Sequence, residues 1–306
     1  MKAEPAACRL CGDLRIRCVG AIPDSDYFAG RVLPKPLDGG HLWKCDACQS
    51  MFRHPVLGAF AYLDLYAAGA ADEWSADGRQ DLAIIRGIIA QQTRRGNVLD
   101  VGCGAGDFLL TLPAELTKYG VEPSVAAAAA ARERGVSIPA PTLAQLPPQL
   151  GFDVITMIDV IEHVAEPQGL LDQALSHLAP GGSLIIATGD ASNALWNRVF
   201  RSRFWYSSFP EHLTFPSLRY FHIWHEGRGL QAPTAVKLKY RRIPIWRAAL
   251  YLVSQVAYLV SPWLLNQVGQ GIERSRRAPC PRRRCFSPGA PGVFTDHQIV
   301  RIRRLP

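Results

Sequence analysis

The sequence predicts an α/β fold, a doubly wound and mostly parallel sheet, preceded by a small N-terminal metal-binding module. Three observations lead there. Strand-like and helix-like apolar segments alternate between residues 82 and 188. A strand at 97–101 runs straight into a turn with glycines at 102, 104 and 106. The first 55 residues carry two Cys-x-x-Cys pairs. Alternation of this kind lays parallel strands side by side with helices over both faces.

With 306 residues, 48% of them apolar, the chain can bury a sizeable core, and global disorder is excluded. The net charge of +8 is unevenly placed. Residues 271–306 hold nine Arg against two acids, so +7 belongs to that segment and only +1 to the rest. A near-neutral body argues against a nucleic-acid partner, which needs basic residues around its site. The N-terminal stretch MKAEPAACRL lacks the apolar run of a secretory signal, so the expected location is cytoplasmic. A chain of this size in a reducing compartment has no need of disulfides.

The elements follow in order. Cys8-Arg-Leu-Cys11 and Cys45-Asp-Ala-Cys48 offer four soft ligands, each pair short enough to grip one ion from a turn. Tetrahedral thiolate coordination favours a structural zinc, with Cys18, His41 and His54 as neighbouring alternatives. A module of residues 1–55 has little core, so metal binding would supply much of its folding free energy. A connector at 56–80 leads to the main core at 81–242. Leu82, Ile85, Ile88 and Ile89 have helical spacing. Next come a strand at 97–101, a helix at 108–116, a strand at 119–122 and an alanine-rich helix at 125–134. A short strand at 136–138, a strand at 152–158 and a helix at 168–178 follow. After the turn Pro180-Gly181-Gly182 comes a strand at 183–188. Residues 235–242 and 294–303 also have strand character, the latter within a closing segment at 293–306. Between them an insertion at 243–292 combines an apolar stretch at 246–265 with a Pro/Arg-rich stretch at 273–292, which has almost nothing to bury.

The most informative stretch is Val98-Leu-Asp-Val-Gly-Cys-Gly-Ala-Gly-Asp107. Glycines there let the backbone turn tightly into a helix and let a ligand lie directly against the chain. A P-loop would end in Gly-Lys-Ser/Thr, whereas this helix begins Asp107-Phe108. A dinucleotide fingerprint needs its third glycine one residue later. Asp-x-Gly-x-Gly-x-Gly at 100–106, with an acid ending the next strand at Glu122, resembles the class I S-adenosylmethionine-dependent methyltransferases. Residues 152–167 and 178–188 match that family's fourth strand with its following loop and the entry to its fifth strand. The resemblance covers roughly residues 80–242, with 294–303 as the closing strand.

What the resemblance implies is a Rossmann-like sheet of seven strands and a set of cofactor contacts from Asp100, Gly102, Cys103, Gly104, Gly106, Glu122 and Asp159. Glu122 inherits the hydrogen bonds to the ribose hydroxyls. Asp107, at a helix start, is placed to face the cofactor's ammonium group. The segment 142–147 lacks the acid often found near the adenine, leaving Gln145 as its substitute.

Acceptor chemistry is expected beyond the fourth strand, at the carboxyl end of the sheet. No Asn/Asp-Pro-Pro-Tyr/Phe motif stands there, which argues against adenine N6 and glutamine amides as acceptors. Asp159-Val-Ile-Glu162-His163 is similar instead to the loop of the ubiquinone-pathway O-methyltransferases. In those proteins acids and a His at this spacing go with a divalent cation and a phenolic acceptor. Asp159, Glu162 and His163 are therefore the catalytic candidates, with His163 either a general base or a wall of the cofactor pocket. The aromatic run 204–209 and Pro210-Glu-His-Leu213 suit an acceptor pocket or its lid, or else a packed surface loop. The expected function is O-methylation of a small phenolic, quinone-precursor, sugar or lipid-linked acceptor. RNA methylation and non-catalytic cofactor binding are the alternatives.

Residues 246–265 place Arg247, Tyr251, Ser254, Tyr258 and Ser261 on one narrow helical stripe, with Gln255 at its edge and apolar residues elsewhere. Trp246 and Trp263 mark its ends, and basic residues flank it. Such a helix suits either an anionic membrane surface or packing against protein.

Overall fold

The computed structural model describes residues 4–28, 31–56, 79–261 and 292–306. Most of the expected connector, residues 57–78, lies outside the described residues. So does 262–291, with the Trp263 end of the apolar stretch and nearly all of the Pro/Arg-rich stretch.

Five strands open the chain: β1 (Ile16–Ala21), β2 (Ser25–Phe28), β3 (Arg31–Leu37), β4 (His41–Cys45) and β5 (Met51–His54). β2 and β3 form a separate hairpin, while β1, β4 and β5 pair antiparallel. That small sheet takes its fourth strand, β11 (Thr214–Phe215), from far along the chain, where Thr214 pairs with Phe52 and Phe215 with Met51.

The main sheet has seven strands. β6 (Gly96–Val101), β7 (Leu116–Val121), β8 (Ser137–Ala140), β9 (Phe152–Ile158) and β10 (Leu178–Gly189) run parallel. β12 (Thr234–Leu238) and β13 (His297–Arg303) complete the order β12-β13-β10-β9-β6-β7-β8, with β13 antiparallel to both its neighbours. The chain steps outward from β6 to β8 and then returns to β9. Strands β6 and β9 therefore flank the topological switch point, where open α/β sheets hold their ligands.

Successive strand residues face opposite layers. Val98, Val154 and Ile185 pack beneath α1 (Gln80–Gln92) and α3 (Val125–Glu133). Their neighbours Leu99, Ile155 and Ile186 face α4 (Pro167–His177) and α5 (Leu218–His225). Cys8, Cys45, Cys48 and Phe52 belong to that second layer, in one continuous core with Tyr220, Phe221 and Trp224. Ser217 reinforces the contact by donating to the Cys48 carbonyl (2.5 Å) and accepting at the head of α5 from Tyr220 N.

The first helix after the glycine turn is shorter than expected. α2 spans Asp107–Leu110, and residue 116 already begins β7. Pro113 has no N–H to continue a helix and disfavours helical backbone at Leu112, so the turn closes with Thr111 Oγ donating to the Phe108 carbonyl (2.7 Å).

α6 (Ile245–Val260) lies against the domain in an unexpected orientation. Its polar stripe faces inward: Tyr258 and Gln255 are buried, and Gln255 donates to the Arg203 carbonyl (3.1 Å). Trp246, Leu250, Leu252, Val253 and Val256 point outward. Among the described residues no helix is long and apolar enough to cross a membrane.

Candidate active site at the switch point

The glycine turn ends β6. Gly102, Gly104 and Gly106 all take positive φ (71°, 54° and 81°), a conformation that side-chain-bearing residues adopt only with strain. A Cβ at Gly102 would meet Val160, and one at Gly106 would meet Val136, whereas Gly104 faces open space. Glu122 holds the turn from beside it. Its two carboxylate oxygens accept from Gly104 N (2.9 Å) and Ser124 N (2.8 Å). Burial raises its pKa, and those two N–H bonds pull it back.

Asp100 lies beneath the turn, buried, and accepts from Thr156 Oγ (2.6 Å). Burial pushes its pKa up to about 7. Cys103 directs its thiol at the Gly120 backbone, so only its main chain faces the turn's concave side. Asp107 reaches outward to Arg134 (2.6 Å) rather than over the turn, and Gln145 accepts from Thr142 (3.1 Å) at an exposed position.

On the opposite side of the switch point, Asp159 follows β9 with φ +53°, a strained left-handed backbone. Oδ2 accepts from Arg79 (2.8 Å) and Tyr240 OH (3.2 Å), and the Arg79 guanidinium lies 4.8 Å from the Tyr240 ring centroid. Oδ1 is buried with no hydrogen-bond partner among the described residues. Arg79 also bonds Asp81, at the entry to α1.

The three catalytic candidates split between two networks, because Asp159 joins Arg79 and Tyr240 while Glu162 turns elsewhere. Glu162 is completely buried and accepts from Thr188 Oγ (3.0 Å) and Tyr206 OH. Burial and the Asp159 charge push its pKa up to about 7. Gly189 makes that tyrosine's position possible, since a Cβ there would collide with the ring. His163 donates through Nδ1 to the Glu211 carbonyl (3.1 Å), and burial lowers its pKa to about 4. His212 stacks edge-on to it, ring centroids 4.9 Å apart, with Nδ1 at the Tyr206 carbonyl (2.7 Å). Glu162, His163 and His212 bring ligand atoms within 4.8 Å of one another, a spacing compatible with a cation. Each Glu162 oxygen already accepts from one hydroxyl, so a divalent ion would have to share the carboxylate with Thr188 and Tyr206.

Segment 204–213 is packed deep against this site, with Phe204, Trp205, Tyr206, Glu211 and His212 buried. Arg53, from β5, fixes it there. Its guanidinium is buried and donates to the carbonyls of Ser207 (3.0 Å), Phe209 (2.8 Å), His212 (3.2 Å) and Gly39 (3.2 Å). Leu213 N donates to the Glu162 carbonyl (2.7 Å), closing the loop onto the turn after β9.

The four cysteines of the small sheet converge. Cys8 and Cys48 sulfurs are 3.7 Å apart, Cys11 and Cys45 3.6 Å, and all four lie within 4.8 Å of one another. These separations are too long for disulfides. They match the edge of about 3.8 Å that zinc–sulfur bonds of about 2.3 Å give in a tetrahedron. Cys18 is exposed and outside the group.

Sequence reasoning did not find Arg53, Arg79, Tyr240 or the pair Asp296–His297, all of which line or hold this region. The adjacent acid and His at the head of an apolar strand were the one local signal available.

Known proteins resemble this chain in family and fold. A family described as "Methyltransferase domain" matches residues 75–234. The ubiquinone biosynthesis O-methyltransferase of Xanthomonas campestris pv. campestris (strain B100) is 30% identical over 144 residues, 41% of this chain and 59% of that protein. The enzyme of the same description from Bradyrhizobium sp. (strain ORS 278) is 32% identical over 100 residues, 30% of this chain and 39% of that one. The chain thus spans less than two thirds of these relatives' length. Among solved structures, a chain from the Haloferax volcanii complex with the Trm112 methyltransferase activator aligns with TM-score 0.50 at 15% identity, over 80% of this chain and 97% of that one. At that identity the likeness shows the fold alone.

The buried Glu162 generates a pH prediction. Its folded pKa lies above the ordinary value of 4.5, so the folded protein keeps a proton that the unfolded chain releases. Stability from this source is fully present below that ordinary value and is lost as pH rises through about 7. Glu162→Gln removes the titration. The variant's melting temperature relative to wild type should therefore climb by several degrees between about pH 5 and about pH 8. A difference that stays flat across that window would show that Glu162 is not held protonated.

Proposed function

The chain belongs to the methyltransferase-domain family, and from that membership we propose that it transfers a methyl group from S-adenosylmethionine to an oxygen of a small acceptor. One observation carries the reading: a left-handed glycine turn braced by Glu122 ends β6, and the neighbouring strand β9 ends at Asp159, whose Oδ1 is buried with no hydrogen-bond partner among the described residues. The residues fit the cofactor. Gly104 leaves main chain bare beside open space for its methionine portion, space that a side chain would take, while Gly102 and Gly106 let the turn pack closely on Val160 and Val136. Each Glu122 oxygen spends one lone pair on a backbone N–H, leaving another for a ribose hydroxyl. Asp100 and Cys103 support the turn from below. Asp159 Oδ1 would accept from the cofactor's ammonium or from the acceptor. Bound there, the cofactor supplies a methyl carbon activated by its sulfonium.

On this reading Glu162 positions Tyr206, and His163 and His212, both pulled down in pKa by burial, form neutral pocket walls. Aromatic rings around a few polar atoms suit a phenolic or quinone-precursor acceptor, with sugar and lipid-linked acceptors as further members of the class. No step requires a divalent cation. Cys8, Cys11, Cys45 and Cys48 would hold a structural zinc, with no open position for chemistry.

Two measurements test the reading. Glu122→Gln keeps an acceptor but loses the charge, so it should weaken adenosylhomocysteine binding about tenfold or more in calorimetry. Undiminished affinity would remove the ribose role. In parallel, protein incubated with methyl-labelled cofactor should label phenolic acids or a metabolite extract and leave total RNA unlabelled; the reverse pattern would favour the RNA alternative.

Metal analysis of protein purified without added metal should return about one zinc per chain. Because the cysteines share a core with Tyr220 and Phe221, Cys45→Ser should lower the melting temperature of the whole protein. Stoichiometric iron, or no metal, would defeat the assignment.

The outward apolar face of α6 supports peripheral contact with an anionic membrane surface. Arg242 and Arg247 on or beside the helix, and Arg198, Arg201 and Arg203 in the segment it packs on, are exposed, and no acid lies within the helix. Flotation with anionic vesicles should carry the wild-type protein and leave Leu252→Glu behind. Recovery of both in the soluble fraction would eliminate membrane contact.

A further inference from the structure

The closing strand brings a pair of residues into the site that the methyltransferase reading leaves unused. Asp296 and His297 stand at the head of β13, where His297 is in register with Gly189 at the carboxyl end of β10 and with Leu238 of β12. Both side chains are buried. His297 Nδ1 is 2.8 Å from Asp296 Oδ1. The other carboxylate oxygen accepts from Trp205 Nε1 (2.8 Å), and the Asp296 carbonyl accepts from Asp190 N (2.7 Å). A carboxylate fixed at Nδ1 makes that nitrogen the protonated one and leaves the lone pair on Nε2.

Nε2 is buried and has no hydrogen-bond partner among the described residues. What surrounds it is the site itself. The Tyr240 ring lies 4.6 Å from the His297 ring, centroid to centroid, and Tyr206 lies 5.0 Å away edge-on. Tyr240 then bonds Asp159, whose Oδ1 is likewise buried with no hydrogen-bond partner among the described residues. One ring thus joins an unused imidazole lone pair to an unused carboxylate oxygen. A buried polar atom without a partner is costly, and two of them bordering the same tyrosine mark where a polar ligand belongs.

Resting on the methyl-transfer reading above, we infer that His297, oriented by Asp296, is the general base that takes the proton from the acceptor hydroxyl. As the acceptor oxygen forms its bond to the methyl carbon, its O–H proton passes to His297 Nε2. The electron pair of the breaking carbon–sulfur bond stays on sulfur, which ends as a neutral thioether. The imidazolium returns its proton to water after the products leave. His163 is less suited to this task, since burial drops its pKa to about 4. For His297, burial works downward, but the Asp296 charge and hydrogen bond, with Asp159 and Glu162 at longer range, raise the pKa above its ordinary value. Those acids, together with Tyr206, Tyr240 and the neutral His212, are the titratable groups that face it.

The test uses full-length protein, adenosylmethionine and soluble phenols such as protocatechuate and caffeate. Wild-type kcat/KM should rise with pH along one limb set by His297. His297→Gln should lower kcat on the order of a hundredfold and abolish that limb, with adenosylhomocysteine affinity held within about twofold. Asp296→Asn should shift the limb to lower pH, because the carboxylate that raises the imidazole's pKa is gone. If His297→Gln fails to fold, the Asp296→Asn profile decides alone. Undiminished turnover in His297→Gln, or an unmoved limb in Asp296→Asn, overturns the base and leaves the methyl-transfer reading standing. Cofactor binding without wild-type turnover of any phenol overturns the phenolic reading and this base together.

Discussion

Arg53 is the contact on which the shape of the site most depends. A guanidinium buried this deeply must find acceptors for its donors, because a charge stripped of water and left unpaired is severely destabilising. Here the acceptors are main-chain carbonyls of residues 39, 207, 209 and 212. The cation thereby holds in place the loop that carries Tyr206 and His212. Pairing of β5 with β11 fixes the same loop from its other end. The cysteine-bearing sheet is in this sense part of the site's wall. Its sulfur cluster sets β4 and β5, and β5 carries Arg53 on into the catalytic half.

The interior beyond that clamp is unusually rich in ionisable groups for a region closed to water. Asp100, Asp159, Glu162, Asp296, His163, His212 and His297 gather at the carboxyl end of the parallel strands. Most are reconciled to burial by hydroxyl, guanidinium or ring-nitrogen partners. The exceptions are Asp159 Oδ1 and His297 Nε2. Burial raises carboxylate pKa values and lowers those of imidazoles, unless a neighbouring charge intervenes. The contrast between His163 and His297 follows directly: one meets a backbone carbonyl, the other a fixed carboxylate.

α6 shows how a helix can satisfy its packing rules while leaving its apolar side exposed. The polar stripe is also where its largest hydrogen-bonding side chains lie, and these reach Arg203 and the aromatic cluster of Trp196, Phe200 and Phe204. Periodicity identified the stripe and the helix. It carried no information about which side would meet the domain.

What the sequence determined by itself was the sheet and the glycine turn. Both are local matters. Strand and helix periods alternate along the chain, and three glycines in five residues admit only a tight, left-handed path between β6 and α2. Glu122 was legible as the acid next to the following strand, a position that the family resemblance singles out, and the cysteine quartet because paired spacing is itself a chemical signature. The interior of α2 was misjudged by a few residues where Pro113 outweighed the apolar pattern. Tertiary structure alone decided the acceptor side. Asp159 and Glu162 sit three residues apart, yet the turn after β9 sends their carboxylates into different networks. Arg53, Arg79, Tyr240 and His297 come from four distant parts of the chain, and no spacing rule links them. They meet because a closed sheet edge and a buried cation fold those parts onto one cleft, where excluded water forces each polar group to find a partner or wait for a ligand.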